Sequence, residues 1–146
     1  MNELNRNYLY ELRNECQTIV RLLEDIKGFI QANDIHGRVA HMDTFKNKLI
    51  GHMKKVDDKL YADLSKTTKE KKIEMVSITV DAFSTAMNGM AERILKFFDK
   101  YPINGDATIK LSLEFKKDFQ TAHEDILKRL NNEAKILFPM YEKHCC

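Results

Sequence analysis

Three residues that can bind a metal or exchange a proton interrupt otherwise apolar helical patterns: Cys16, His52 and Glu133. Each stands in a run where Leu, Ile, Val, Met or Phe recur at alternating steps of three and four residues. This spacing is typical of a helix face buried in a bundle. Buried polar groups need partners, because an unsatisfied one costs about 1–3 kcal/mol. Helical bundles often build metal sites from inward-facing side chains of these types.

Two interpretations of these residues stay open. A thiolate with an imidazole and a carboxylate would favour zinc or iron over magnesium or calcium. In the simpler interpretation, Cys16 is a small buried hydrophobe and His52 is a core histidine bonded to Glu133, Cys16 or a buried water. Glu133 would then pair with Arg129, one turn earlier on the same helix. The sequence favours core packing, so we expect no cofactor, with a single iron or zinc ion as the alternative.

The elements that must position these residues are long helices. The chain has only 5 Gly and 2 Pro, which leaves few places for turns. The apolar periodicity predicts four helices, at about residues 3–32, 38–64, 68–100 and 107–142.

Turn-forming residues separate the predicted helices. Residues 33–37 (NDIHG) end the first helix, and the polar residues 65–68 end the second. Thr67 and Glu70 have the spacing of a capping box for the third helix. Residues 101–106 end that helix with a proline and an Asn-Gly pair, and Pro139 is expected to kink or end the fourth.

Short loops between helices of similar length force sequential neighbours to run in opposite directions. No strand pattern, repeat or linker competes with the helical pattern. The sequence therefore predicts one all-α domain over residues 1–146, folded as an antiparallel up-and-down four-helix bundle.

Composition excludes several classes of protein. Hydrophobic residues make up 43% of the chain and charged residues 32%, which is typical of a folded globular protein. The 24 basic and 22 acidic residues are nearly balanced, so nucleic-acid binding has no support. No apolar run approaches the roughly 20 residues that span a membrane. Three cysteines without a disulfide framework indicate a reducing compartment, and we expect a cytoplasmic protein.

Three segments resemble the hemerythrin-like (HHE cation-binding) family. Residues 14–19 with 22–23 resemble its opening helix, in which a histidine normally occupies the position of Cys16. Residues 48–61 (KLIGHMKKVDDKLY) resemble its second helix, which carries His, three residues and then Glu. Residues 129–139 (RLNNEAKILFP) resemble its closing helix. The resemblance spans nearly the whole chain in the right order and implies the same helical-bundle fold.

The resemblance also implies a di-iron site built from histidines and carboxylates, but most ligand positions are substituted. Val56 replaces the Glu of the second-helix motif, Arg129 stands where the closing helix has His, and Ala134 replaces a second Glu. The third predicted helix contains no histidine. Only His52 and Glu133 match ligands, which implies that oxygen carriage is lost and the metal site is degenerate.

Other ionisable residues near these positions are weaker candidates. Asp57 and Asp58 fall one and two positions beyond Val56, a rotation of about 100° and 200°, so we expect them at the bundle flank or in solvent. Counting residues along the helices places His123 nearer than Glu133 to the level of His52. The family alignment pairs His52 with Glu133 instead, and we prefer the alignment.

The leading functional hypothesis is a non-enzymatic hemerythrin-like bundle with a degenerate metal site, acting in sensing, signalling or interaction with a protein partner. The alternative is a mononuclear metal- or redox-binding sensor that uses Cys16, His52 and Glu133. An oxidase is disfavoured, because a redox centre needs more ligands than this core supplies. The sequence leaves the oligomeric state open.

Overall fold

A computed structural model describes residues 2–102 and 113–146, and within these ranges all regular structure is helical. The predicted all-α class is confirmed for this part of the chain. Two π-helical turns, Val56–Leu60 and Glu133–Leu137, each join two α-helices end to end, so the α-helices form four continuous helical stretches. The α-helices are α1 Glu3–Gln31, α2 Ile35–Lys55, α3 Tyr61–Glu70, α4 Glu74–Lys100, α5 Leu113–Asn132 and α6 Phe138–Cys145.

The first turn is shorter than the sequence indicates. Asn33 has a positive φ of 55°, and Asp34 caps α2 by accepting a 2.9 Å hydrogen bond from the Gly37 amide. A Cβ at Gly37 would lie 2.6 Å from a ring carbon of Phe29, so only glycine permits this close approach. The helix predicted to start near residue 38 therefore starts at Ile35.

The second turn lies later than predicted. The Thr68 hydroxyl donates a 2.8 Å hydrogen bond to the Leu64 carbonyl, so this threonine belongs to the interior of α3. The capping box predicted at Thr67 and the helix start predicted near residue 68 are both wrong. The chain turns at Lys72, whose φ is 56°, and α4 begins at Glu74.

The third stretch ends at Lys100, as predicted. The predicted start of the fourth helix near residue 107 lies outside the described residues, as does most of the predicted 101–106 turn. Pro139 does not end the last helix, which continues to Cys145. Proline cannot donate the usual bond to the Lys135 carbonyl, and this carbonyl belongs to the π-helical turn just before it. Because a π-helical turn does not follow the regular four-residue bonding pattern, the helix tolerates the amide proton that proline lacks.

The predicted apolar faces form the core. α1 packs against α2, α4 packs against both α3 and α5, and α6 contacts α1 and α3. Full burial of one large apolar side chain contributes about 1.5–3 kcal/mol to the stability of the fold. The packing of this core therefore fixes the positions of the polar residues that lie within it. No described helix is both long enough and apolar enough to cross a membrane. The most deeply buried core residues include Leu12, Ile19, Leu23, Phe45, Leu49, Leu64, Ile94, Phe115 and Leu137.

Candidate metal site

Cys16, His52 and Glu133 converge in the core. The Cys16 Sγ lies 3.5 Å from His52 Nε2 and 3.7 Å from Glu133 Oε1, and the last two atoms are 2.6 Å apart. The three residues are 8%, 1% and 0% exposed. Cys16 and His52 therefore lie at one level of their helices, and Glu133 joins them.

The local helices explain why these side chains meet. Cys16 lies on α1, His52 on α2, and Glu133 begins the second π-helical turn. Each takes one position on an apolar face, so the packing of its neighbours directs it inward. The buried residues that flank the three positions are Leu12 and Ile19, Leu49 and Val56, and Leu130 and Leu137.

His52 is held between two carboxylates. Its Nδ1 lies 2.7 Å from Glu15 Oε1 and its Nε2 lies 2.6 Å from Glu133 Oε1. Ionised carboxylates only accept, so with both glutamates ionised both ring nitrogens donate and the ring carries a positive charge. Burial acts to lower the pKa of His52, but the hydrogen bonds and charges of the two carboxylates raise it above its usual 6.5.

The Glu15 carboxylate connects this buried ring to solvent. Its second oxygen accepts a 2.5 Å hydrogen bond from Lys55 Nζ. Burial acts to raise the pKa of Glu15, but the bonds from Lys55 and His52 lower it below its usual 4.5. Glu15 therefore stays charged and keeps the Nδ1 proton of His52 in place.

Cys16 is a neutral thiol in this arrangement. Burial raises the pKa of its thiol far above the ordinary value, and the Glu133 carboxylate raises it further. The thiol donates weakly to Glu133 Oε1. A thiolate would form only if a cation at the site replaced this proton.

Arg129 is the permanent cation of the cluster. It is 0% exposed, and its Nε lies 3.0 Å from Glu133 Oε2, so the predicted pairing is confirmed. Its Nη1 donates to the Met87 carbonyl and its Nη2 to Asp57 Oδ1, both at 3.3 Å. Arg129 thus ties α5 to α4 and to the first π-helical turn. Asp57 lies at the flank, as expected, with its side chain 38% exposed.

Tyr61 has a buried hydroxyl that makes no hydrogen bond to any described residue. Burial raises its pKa, the Arg129 charge acts to lower it, and the Glu133 and Asp57 charges raise it further. The hydroxyl therefore lies within electrostatic reach of the cluster. An unpaired buried hydroxyl can bond a water or another small ligand beside these residues.

The two π-helical turns adjoin the candidate site. The first begins at Val56, one turn after His52, and the second begins at Glu133 itself. Such turns are rare and are frequently found at functional sites. The Tyr8 hydroxyl donates a 2.5 Å bond to the Lys55 carbonyl, at the start of the first turn. The apolar periodicity of the sequence predicts neither turn, although it does single out Glu133 as a candidate ligand.

A di-iron centre does not fit these residues. Val56 is fully buried and apolar where a bridging Glu would be needed, and Ala134 is exposed to solvent. His123 is 5% exposed but bonds to Glu24 at 3.1 Å, so it does not join the cluster. Within the described residues, only one group of three potential ligands comes together, and it is Cys16 with its two partners.

A single tetrahedral ion fits better. Zinc lies about 2.3 Å from sulfur and about 2.0–2.2 Å from nitrogen or oxygen, which places a tetrahedral sulfur about 3.6 Å from its N and O neighbours. The Cys16 Sγ distances of 3.5 and 3.7 Å match this value. The remaining pair, His52 Nε2 and Glu133 Oε1, would have to open from 2.6 Å by about 0.8 Å if an ion replaced the proton between them. The Glu15 bond to the other ring nitrogen matches the carboxylate support that metal-bound histidines usually have.

Comparison of this chain with known protein families, with curated proteins and with solved structures finds no match. The resemblance to the hemerythrin-like family therefore stays a prediction that rests on the three sequence segments. The candidate site depends instead on the distances between its own atoms.

Proposed function

We propose that this chain is a non-enzymatic metal sensor that binds one zinc or ferrous ion through Cys16, His52 and Glu133. The observation that carries the proposal is the spacing of three different ligand atoms, all within 4.8 Å of one another and all buried. Two of their three separations already equal those of a tetrahedral shell. A water molecule as fourth ligand would complete the tetrahedral shell.

Charge balance also supports one divalent ion. Binding would release the Cys16 thiol proton and the His52 Nε2 proton, so two positive charges leave as two arrive. The net charge of the buried cluster would stay the same, with Arg129 still compensating Glu133. This matters because an uncompensated buried charge costs several kcal/mol. A second dication would have no such compensation.

A sensing role follows from which bonds the ion would replace. The His52–Glu133 hydrogen bond joins α2 to the π-helical turn that leads into α6. Metal binding would lengthen this contact and pull on both elements, and the change could reach a protein partner at the surface. His52 and Glu133 are at most 1% exposed, and a redox centre would need more ligands than these three residues supply, which favours a non-enzymatic role.

The proposal includes an up-and-down arrangement of the four helical stretches, as in the hemerythrin-like family. Connections of three residues, at 32–34 and 71–73, are too short to cross a bundle, so each must join neighbours that run in opposite directions. We also propose a cytoplasmic location, where reducing conditions would keep Cys16 available as a ligand.

Zinc binding to purified wild-type protein, measured by equilibrium dialysis with elemental analysis, tests the proposal. We expect about one ion per chain, and loss of binding in Cys16→Ala and in His52→Gln. Cys145→Ala is the matched control, because Cys145 is also buried but lies outside the cluster. Equal zinc binding by wild type and both cluster variants would overturn the proposed site.

A second candidate function needs no metal. Glu133 already accepts from His52 and from Arg129, and His52 already has a partner at each nitrogen. The cluster can therefore act as a purely structural network, with function residing in a surface that binds a protein partner. Absence of zinc binding at micromolar concentrations, together with marked destabilisation by Glu133→Gln, would favour this candidate.

A further inference from the structure

A surface groove runs between α1 and α5. Its volume is about 840 Å³, within the range of about 300–1,000 Å³ that is usual for small-molecule sites. The groove exists because α1 packs closely against α2 but only loosely against α5. Cys16 and Leu130 form its buried floor, and Val20, Leu127 and Ala134 line its apolar part.

Two cations line the same groove. Arg21 and Lys128 are exposed, and neither forms an ion pair with any described residue. No Asp or Glu lines the groove. Exposed cations elsewhere do have acidic partners, such as Arg93 with Asp125. The groove therefore combines an apolar surface with local positive charge.

The two cations lie toward one end of the groove. Cys16 contacts Glu133, whereas Glu24 contacts His123, so later residues of α1 lie beside earlier residues of α5. Arg21 consequently lies near Lys128, toward one end of the groove. The opposite end is formed by Cys16 and Ala134.

We propose that this groove binds an unbranched aliphatic carboxylate of the fatty-acid type. Its carboxylate lies between Arg21 and Lys128, where a guanidinium can bond both oxygens. Its chain covers Leu127 and Leu130 and ends near Cys16, and the burial of apolar surface stabilises the complex. This inference goes beyond the proposed function and does not depend on metal binding.

Decanoate, used below its micelle concentration, is the probe for calorimetric titration of the full chain. We expect saturable binding of one decanoate per chain, with chemical-shift changes at the Val20, Leu127 and Leu130 methyl groups. The uncharged probe decan-1-ol should bind at least tenfold more weakly, because it cannot pair with the two cations.

Variants separate the charge from the groove. Arg21→Gln with Lys128→Gln should weaken decanoate binding at least tenfold, and Ala134→Phe should weaken it by filling the apolar end. The matched control is Lys117→Gln, an exposed cation of α5 outside the groove, which should bind as wild type does. All of these positions are exposed, so the fold should survive each change.

Several outcomes would overturn the inference. They are an absence of saturable decanoate binding, equal binding of decan-1-ol, and undiminished binding by the double variant. Concentration-dependent self-association that shifts the same methyl groups without decanoate would also overturn it, since a second copy of the chain would then cover the groove. Cys16 belongs to both sites, but zinc binding does not require Arg21 or Lys128 and decanoate binding does not require His52, so the two proposals fail separately.

Discussion

His52 Nε2 and Glu133 Oε1 lie 2.6 Å apart in the core, although 81 residues separate them in the chain. The second nitrogen of the same ring bonds Glu15, and the second oxygen of the same carboxylate bonds Arg129. The proton between His52 and Glu133 thus occupies the centre of an alternating series of charges. Base or a bound metal ion would remove this proton.

Stability should depend on pH through His52. Because the folded-state pKa is raised, the contribution of His52 is complete below about pH 6.5 and falls as pH rises through the folded value. Glu15, with a lowered pKa, acts in the opposite direction and loses its contribution as pH falls below about 4.5. Urea denaturation of the metal-free protein should therefore show greatest stability between these values.

The groups that face His52 are Glu15 and Cys16 from α1 and Glu133 from the second π-helical turn. His52→Gln should remove the decline in stability above pH 6.5 and leave the loss of stability below about pH 4.5. An unchanged pH profile in this variant, or an NMR titration that gives His52 a pKa below 6.5, would contradict the charge assignment.

Removing Arg129 should be severely destabilising. Arg129→Met leaves the Glu133 carboxylate buried without its guanidinium, and breaking a buried pair in this way costs about 3–5 kcal/mol. The double variant Arg129→Met with Glu133→Gln should recover part of this loss, because the excess negative charge left in the core by the loss of Arg129 is gone. Chemical denaturation at pH 6 measures both values.

Arg13→Met is the matched control for that experiment. Arg13 pairs with Glu142 at 2.9 Å, but both side chains are largely exposed, so the change should cost at most about 1 kcal/mol. Similar effects at Arg13 and Arg129 would show that the buried network contributes nothing particular to stability.

The three cysteines should differ in reactivity. Burial raises the pKa of Cys16 and Cys145, and both are at most 9% exposed. Cys146 is more accessible, so iodoacetamide followed by peptide mass spectrometry should find it modified first. Rapid modification of Cys16 in the folded protein would mean that its thiol is neither buried nor neutral.

Zinc binding should release two protons, one from Cys16 and one from His52. The apparent binding constant should then rise by up to a hundredfold per pH unit while both groups are protonated in the free protein. Calorimetry in buffers of different ionisation enthalpy counts the protons directly. Release of fewer than one proton per ion would indicate ligands other than this thiol and imidazole.

The candidate cluster could be predicted from the sequence because each member interrupts an apolar face. The part played by Glu15 could not be predicted in this way. Glu15 lies beside Cys16 on the solvent-facing side of the helix, where a charged residue is common. Arg129 was expected to pair with Glu133, but its complete burial and its bond to Met87 depend on how α4 packs, which no local pattern encodes.

The first π-helical turn has a signature in the spacing of the buried residues around it. Buried positions at His52, Val56, Leu60 and Leu64 advance by four residues each time. On a straight α-helix such steps would rotate the face by about 40° each, so a wider turn is needed to keep all four inward. The late start of α4 had no comparable signal, because the Thr68 hydroxyl bonds within α3 instead of capping the next helix.

Cobalt(II) titration followed by absorption spectroscopy tests the central claim most directly. We predict saturation at one cobalt per chain, with a sulfur-to-metal charge-transfer band and the intense visible bands of a tetrahedral ion. Both features should disappear in Cys16→Ser and persist in Cys145→Ser. Weak octahedral bands without a sulfur transition, or a spectrum that survives Cys16→Ser, would contradict a metal site built from Cys16, His52 and Glu133.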